Sequence, residues 1–297
     1  MELEMFGGNW TTDKLERVRK YLKAYTTIMR NQKFKQYMYI DAFAGTGWLT
    51  LKQNEQSEQQ SQLSLFTGTF EEESKKNLQG SARIALQVNP EFTKYIFVER
   101  DKKRFEELET LKLDFPNRDI LLKNSDANLF IREICDSQNW LEKSERAVLF
   151  LDPYGMQVPW QTVEAIARTQ AIDLWYLFPI GIALNRLLKK DGKINDSCRK
   201  KIDIIIGTDD WYNLFYAEER RVGLFGEETV IVKKANFDSL KSYFIERLKT
   251  IFAGVADNPR LLFTSKNNPL YLLCFASSNQ RGTPTAIKIA QDILRRE

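Results

Sequence analysis

Four acids stand where short apolar runs end: Asp41 after Met38-Tyr39-Ile40, Glu99 after Tyr95-Ile96-Phe97-Val98, Asp126 after Ile120-Leu121-Leu122, and Asp152 after Ala147-Val148-Leu149-Phe150-Leu151. If each run is a buried strand of one parallel sheet, the acids gather along its carboxyl rim, where open α/β sheets bind their ligands. Clustered carboxylates repel one another, so the rim calls for a ligand rich in hydrogen-bond donors. The alternative is that the acids cap the helices that follow or hold water.

The first acid opens Asp41-Ala42-Phe43-Ala44-Gly45-Thr46-Gly47, a small-residue loop whose glycines let backbone approach a ligand closely. Two ligand classes compete for it. A dinucleotide wants a third small residue three places after the second glycine and an acid about 20 residues on. Here that third place is Thr50, and Glu99 lies much farther along. S-adenosylmethionine has no pyrophosphate; its ammonium, ribose diol and adenine amine are donors suited to carboxylates. The loop favours the methyl donor.

The fourth strand ends in Leu151-Asp152-Pro153-Tyr154-Gly155-Met156. Methylating a base amine requires an acceptor for the amine hydrogens and an aromatic face to hold the base. Asp152, the Pro153 carbonyl and Tyr154 offer these parts, and proline presents no competing N–H. An ordinary Asp-Pro turn at a strand end is the structural alternative.

Other chemistry is excluded by composition. The chain has 297 residues and no histidine, which removes Ser-His and Cys-His catalysis and imidazole metal sites. Cys135, Cys198 and Cys274 are too scattered for a zinc knuckle and are expected to remain thiols, consistent with a cytoplasmic protein. No apolar run reaches the ~20 residues of a membrane span, and Met1-Glu2-Leu3-Glu4 lacks a secretory start.

The elements that must position the acids are legible as short continuous apolar runs alternating with segments of helical period. The first strand is preceded by an amphipathic helix in which Leu15, Val18, Tyr21, Leu22, Tyr25, Ile28 and Met29 recur at helical spacing, with Asp13 and Glu16 as a capping pair. The stretch 13–35 holds eight Lys or Arg against two acids, either a solvated helix face or a nucleic-acid contact. Residues 53–80 are polar and low in complexity and read as a surface insertion, after which Ser81 suits a helix N-cap. A fifth strand is expected at Ile172–Phe178, and Arg260–Ser265 with Leu270–Ala276 flank a turn as a hairpin. The expected fold is α/β: a Rossmann-like methyltransferase-type sheet of parallel strands with a terminal antiparallel hairpin, built from residues 1–179 and 259–297, and a mostly helical insert at 180–258 for substrate or partner recognition.

Taken together, Asp-x-Phe-x-Gly-x-Gly at 41–47, Glu99, Asp126 and Asp-Pro-Tyr-Gly at 152–155 resemble the S-adenosylmethionine-dependent methyltransferases. More closely the chain resembles the bacterial three-Cys-motif partner proteins (TcmP), through Gly8-Asn9-Trp10-Thr11, Tyr39–Gly47, Asp152–Trp160, Asp173–Pro179, Gly207–Trp211 and Asn268–Phe275. The resemblance implies S-adenosylmethionine as cofactor and a separate three-Cys-motif protein as partner. It implies that Asp41, Ala42, Phe43, Gly45, Thr46 and Gly47 border the methionine part, Glu99 with Arg100 the ribose, and Asp126 with Ala127 the adenine. Asp152, Pro153 and Tyr154 would face the acceptor. Amino-methyltransferases usually carry a second proline, so Tyr154 stands one residue early here.

The insert begins with seven basic residues against two acids between 186 and 201. Arg186, Lys189, Lys190, Arg199 and Lys200 are the candidates for phosphate contacts, with a solvated face as the alternative. Two functions follow: a methyltransferase for a nucleic-acid base amine, or a catalytically weak module of the same fold that serves as partner of the three-Cys protein.

Overall fold

The computed structural model describes residues 9–50, 77–137, 139–223 and 226–296. Helix α1 (Asn9–Met29) precedes β1 (Gln36–Asp41), and the antiparallel pair β2 (Trp48–Thr50) and β3 (Asn77–Gln79) leads to α2 (Ser81–Leu86). Then come β4 (Lys94–Glu99), α3 (Lys102–Leu108), α4 (Thr110–Asp114), β5 (Ile120–Asn124), α5 (Ala127–Ser137), β6 (Glu145–Leu151), α6 (Trp160–Arg168) and β7 (Ile172–Phe178). A π-helical turn (Ile180–Leu184) and α7 (Asn185–Leu187) open the next segment, followed by α8 (Asp196–Ile206), α9 (Trp211–Phe215), β8 (Tyr216–Gly223), β9 (Gly226–Lys233) and α10 (Phe237–Lys249). Strands β10 (Gly254–Val255), β11 (Arg260–Phe263) and β12 (Pro269–Ser277) and helix α11 (Thr283–Arg295) complete the order.

The main sheet runs β5-β4-β1-β6-β7-β12, with β10 and β11 both paired to the outer side of β12. The first five are parallel and β12 is antiparallel to β7, so the fold is the expected Rossmann-like α/β sheet. From β1 the chain steps outward to β4 and β5 and then returns to β6 on the other side, which places the topological switch point between β1 and β6.

Both faces are covered. Tyr39, Tyr95, Phe97, Val148, Phe150 and Trp175 turn to a layer of α1, α2, α3, α4 and α11; Ile40, Val98, Leu149, Leu174 and Tyr176 turn to α5, α6, α8 and α10. Alternation of side chains along each strand decides this partition. Helix α1 is fixed at several points: Tyr21 Oη donates to Asp173 Oδ2 at 2.6 Å, and the buried Arg17 guanidinium donates to the carbonyls of Ile293 and, at 2.6 Å, Arg296.

Three expectations need correction. Helix α1 begins at Asn9, so Asp13 is not a cap; it pairs with Arg17, one turn on, and with Arg260. Gly80 rather than Ser81 is the N-cap of α2, because the Ser81 hydroxyl is engaged by Asp41 instead. Within 180–258, β8 and β9 form an antiparallel ribbon and β10 joins the main sheet. The ribbon is exposed on most positions, so its charged residues show no apolar alternation, and only Thr229-Val230-Ile231-Val232 advertises a strand. The greater part of the expected insertion 53–80 lies outside the described residues; its end, 77–79, is β3.

The π-helical turn after β7 packs so closely on β12 that a Cβ at Gly181 would overlap the Pro269 carbonyl. Gly181→Ala is therefore expected to destabilise the protein by about 3 kcal/mol, measurable as a lowered urea midpoint.

Candidate functional site

Register fixes how the acids stand. Asp41 lies opposite Phe97 on β4 and Phe150 on β6, so Glu99 and Asp152 are each two residues farther toward the carboxyl edge, on the two strands flanking β1. Two residues is one full pleat, so all three have the parity of Tyr39, Phe97 and Phe150 and belong to the α1–α2 face. The structure thus lines Asp41, Glu99 and Asp152 along one face of the carboxyl edge, with Asp41 and Asp152 flanking the switch point and Glu99 on the strand beyond Asp41.

Asp41 is fully buried. Its carboxylate accepts from Ser81 Oγ at 2.5 Å and from the Phe43 amide at 3.2 Å, with Tyr39 Oη at 3.5 Å. Burial pushes its pKa up to about 7; the Ser81 hydroxyl opposes the shift and the Asp152 charge adds to it. Beyond it the chain turns through Gly45 and Gly47, with φ of 60° and 77°, a region that favours glycine. A Cβ at Gly45 would meet nothing within 4 Å, so open space adjoins the loop there.

Glu99 holds this loop: Oε2 accepts from the Gly45 amide at 3.0 Å and Oε1 from the Asp101 amide at 2.8 Å. Each oxygen keeps a second lone pair for a ligand. The other side of the loop is secured by Gly80, whose amide donates to Gly47 O at 3.0 Å and where any Cβ would lie 2.9 Å from the Gly47 carbonyl. The Arg83 guanidinium stacks 3.8 Å from the centroid of Trp48, just after the loop.

Asp126 caps α5: its Oδ1 accepts from the amides of Asn128 (2.9 Å) and Leu129 (3.1 Å), while Oδ2 takes no part in that cap. Asn128 then donates to Gln157 O at 2.8 Å and ties this helix to the loop after β6. In that loop Pro153 is buried, Tyr154 is 54% exposed and Gly155 has φ 74°. Burial of part of the Tyr154 ring raises its phenol pKa, opposed by the nearby Arg104 charge. Ala42 and Ala127 are buried, Phe43 and Thr46 half-buried, and Arg100 is exposed.

Asp152 is ion-paired with Lys14 from α1, a residue only 4% exposed. Neither Lys14 nor Ser81 was singled out from the sequence as part of a site. The signal for Lys14 was present: positions 14, 18, 21 and 25 form one helical stripe, and Lys14 is the charged member of an otherwise buried apolar row.

The basic candidates are on a separate segment that leaves the carboxyl end of β7. Arg186, Lys189, Lys190 and Lys200 are exposed, and Arg199 stacks 4.4 Å from the Tyr212 ring centroid. Lys189 and Lys190 carry the ribbon through their carbonyls, which accept from Tyr216 Oη (2.9 Å) and the Lys233 amide (3.0 Å). None of the five forms an ion pair with the rim acids among the described residues.

No family model matches the sequence, and no curated protein matches it. Solved structures with likeness include an S-adenosylmethionine-dependent methyltransferase from Clostridium acetobutylicum (11% identity over 90% of this chain and 96% of that one, TM-score 0.34). An rRNA methylase from Streptococcus thermophilus shares 10% identity over 74% of this chain and 95% of its own, with TM-score 0.30. The magnesium protoporphyrin IX methyltransferase of Synechocystis shares 9% over 79% and 86%, with TM-score 0.29. Likeness this distant carries no argument about the present chain, whose fold class stands on its own strand order. Among the described residues no helix is long and apolar enough to cross a membrane.

Proposed function

We propose that the protein is an S-adenosylmethionine-dependent methyltransferase acting on an amino nitrogen of a nucleic-acid base. The observation that carries this reading is the placement of Asp41, Glu99 and Asp152 on one face of the switch point, beside a positive-φ glycine loop with open space at Gly45. A dinucleotide is disfavoured because the chain leaves Gly47 as strand β2 and not as a helix whose N-terminus would meet a pyrophosphate.

The donor set fits the methyl donor. Asp41 suits its ammonium, Glu99 its ribose diol, and Asp126 with Ala127 its adenine edge; Ala42, Phe43, Thr46 and Gly47 would complete the wall. When bound, the cofactor supplies an electrophilic methyl group on a sulfonium. Asp152 would then accept one hydrogen of the acceptor amine and orient its lone pair, and the Pro153 carbonyl would accept the other. Asp152 would take up the proton the amine loses on methylation, and the exposed Tyr154 ring would hold the base by its face. Arg186, Lys189, Lys190 and Lys200 offer exposed cations for a phosphate backbone past the end of β7.

Calorimetry with S-adenosylhomocysteine tests the cofactor, and transfer of radiolabelled methyl to mixed DNA and RNA tests the acceptor; no label in either pool sinks the base-amine reading. Tyr154→Ala is expected to raise KM for polynucleotide about tenfold or more while leaving homocysteine-analogue affinity within twofold, since stacking on one aromatic contributes roughly 1–3 kcal/mol per base.

One observation favours a second reading. Asp152 is already engaged by Lys14, as it would be in a catalytically weak module of this fold that serves as partner of a three-Cys-motif protein. Co-purification of the two proteins, with cofactor binding but no transfer in the complex, would support it.

A further inference from the structure

The ion pair that closes Asp152 also answers a question left by the acids. Asp41, Glu99 and Asp126 suit the donors of S-adenosylmethionine, but its amino-acid carboxylate needs a cation and is repelled by the rim. The cations packed on the α1–α2 face are engaged elsewhere with one exception of kind. Arg17 is held by Asp13 and by the carbonyls of Ile293 and Arg296, and the Arg83 guanidinium pairs with Asp114 and stacks on the Trp48 ring, its buried Nε lacking a partner among the described residues. Lys14 instead meets a rim acid. Its ammonium carries three N–H donors, of which Asp152 takes one, and it lies 5.0 Å from the centroid of the Trp10 ring. Its charge also acts on Asp41, opposing the effect of burial there, so the ammonium that pairs with Asp152 is within electrostatic reach of the central acid as well. A buried ammonium needs an anion at all times, which restricts it to exchanging one carboxylate for another.

We propose that Lys14 makes that exchange: it neutralises Asp152 in the cofactor-free protein and turns to the cofactor's carboxylate on loading, which opens Asp152 to the acceptor amine. Cofactor binding thereby precedes acceptor binding. The proposal rests on the methyl-donor reading, and two ligands separate the fates of the two. S-Adenosylhomocysteine carries the amino-acid carboxylate; 5′-methylthioadenosine is the same nucleoside thioether without it.

By calorimetry, Lys14→Met is expected to weaken S-adenosylhomocysteine about tenfold to a hundredfold, the range for a lost charge-assisted hydrogen bond, and to leave 5′-methylthioadenosine within twofold. Asp152→Asn is expected to tighten S-adenosylhomocysteine severalfold, because Lys14 no longer has a resting partner to leave, with no change for 5′-methylthioadenosine. A role confined to packing predicts neither effect. Equal weakening of both ligands by Lys14→Met, or no tightening by Asp152→Asn, overturns the exchange while the cofactor reading stands. Failure of the unaltered protein to bind either ligand overturns the cofactor reading and the exchange with it. Should Lys14→Met not fold, the double variant Lys14→Met/Asp152→Asn removes both charges of the pair, and the same carboxylate-specific loss is expected there.

Discussion

Asp152→Asn is expected to lower methyl transfer about a hundredfold to a thousandfold in a single-turnover assay with saturating cofactor. The amide presents one oxygen in place of two, carries no charge and adds a competing N–H, so in the proposed role it would hold the acceptor amine less firmly and orient its lone pair less well. The substitution also leaves the buried Lys14 without its anion, and a loss of about 1–3 kcal/mol in stability accompanies it. The two effects separate readily: the stability change is read in urea, whereas the rate is measured on folded protein with cofactor bound. A rate within threefold of the unaltered protein would remove Asp152 from the proposed reacting centre.

Asp41→Asn is expected to trade binding for stability. In the folded protein this carboxyl titrates at about 7, against 3.8 for an ordinary aspartate. A folded-state pKa above the unfolded one means that folding takes up a proton between the two values. The stabilising contribution is then fully present below pH 4 and is lost as pH rises to 7. The span corresponds to about 4 kcal/mol at 1.4 kcal/mol per unit. The asparagine variant has no such penalty, so it should exceed the parent in stability by a few kcal/mol at pH 8 and show no gain at pH 4, as urea unfolding at the two values would reveal. Asp173, raised to about 6 by burial at the opposite edge of the sheet, adds a smaller slope of the same sign in both proteins. The same variant should bind S-adenosylhomocysteine at least tenfold more weakly. In the parent, affinity should rise with pH up to about 7 and then level, because the ligand ammonium prefers the ionised carboxylate and expels its proton. Calorimetry in buffers of different ionisation enthalpy would register that proton.

The central strands were legible because they are buried on both faces and read as unbroken apolar runs, Met38–Ile40, Tyr95–Val98, Ala147–Leu151 and Leu174–Phe178, each closed by an acid or a proline, whereas the edge strand β5 is only partly buried. The alignment of Asp41, Glu99 and Asp152 on one face was also implicit, since each shares parity with the aromatic residue two places before it. The β8–β9 ribbon was hidden because it is packed on little and so carries no alternation of polarity. Lys14 was hidden for the opposite reason: its helix is correctly amphipathic, and a charge within the apolar stripe looks like a blemish until the partner strand is known. Ser81 combined a plausible cap with a different duty, and helix statistics could not distinguish them.

The docking of α1 has a consequence for how the protein is made. Lys14 reaches the rim only because α1 is clasped by Asp173 on β7, by the aromatic Phe275 on β12 and by the final carbonyls of α11. A nascent chain emerges from its amino end, so the first helix leaves the ribosome long before the elements that seat it. The glycine loop can assemble early around β1 and β4, yet α1, though made first, can bring Lys14 to Asp152 only after β7, β12 and α11 have formed its seat. Until α11 has emerged to seat α1, the rim carries its acids without the Lys14 counter-charge.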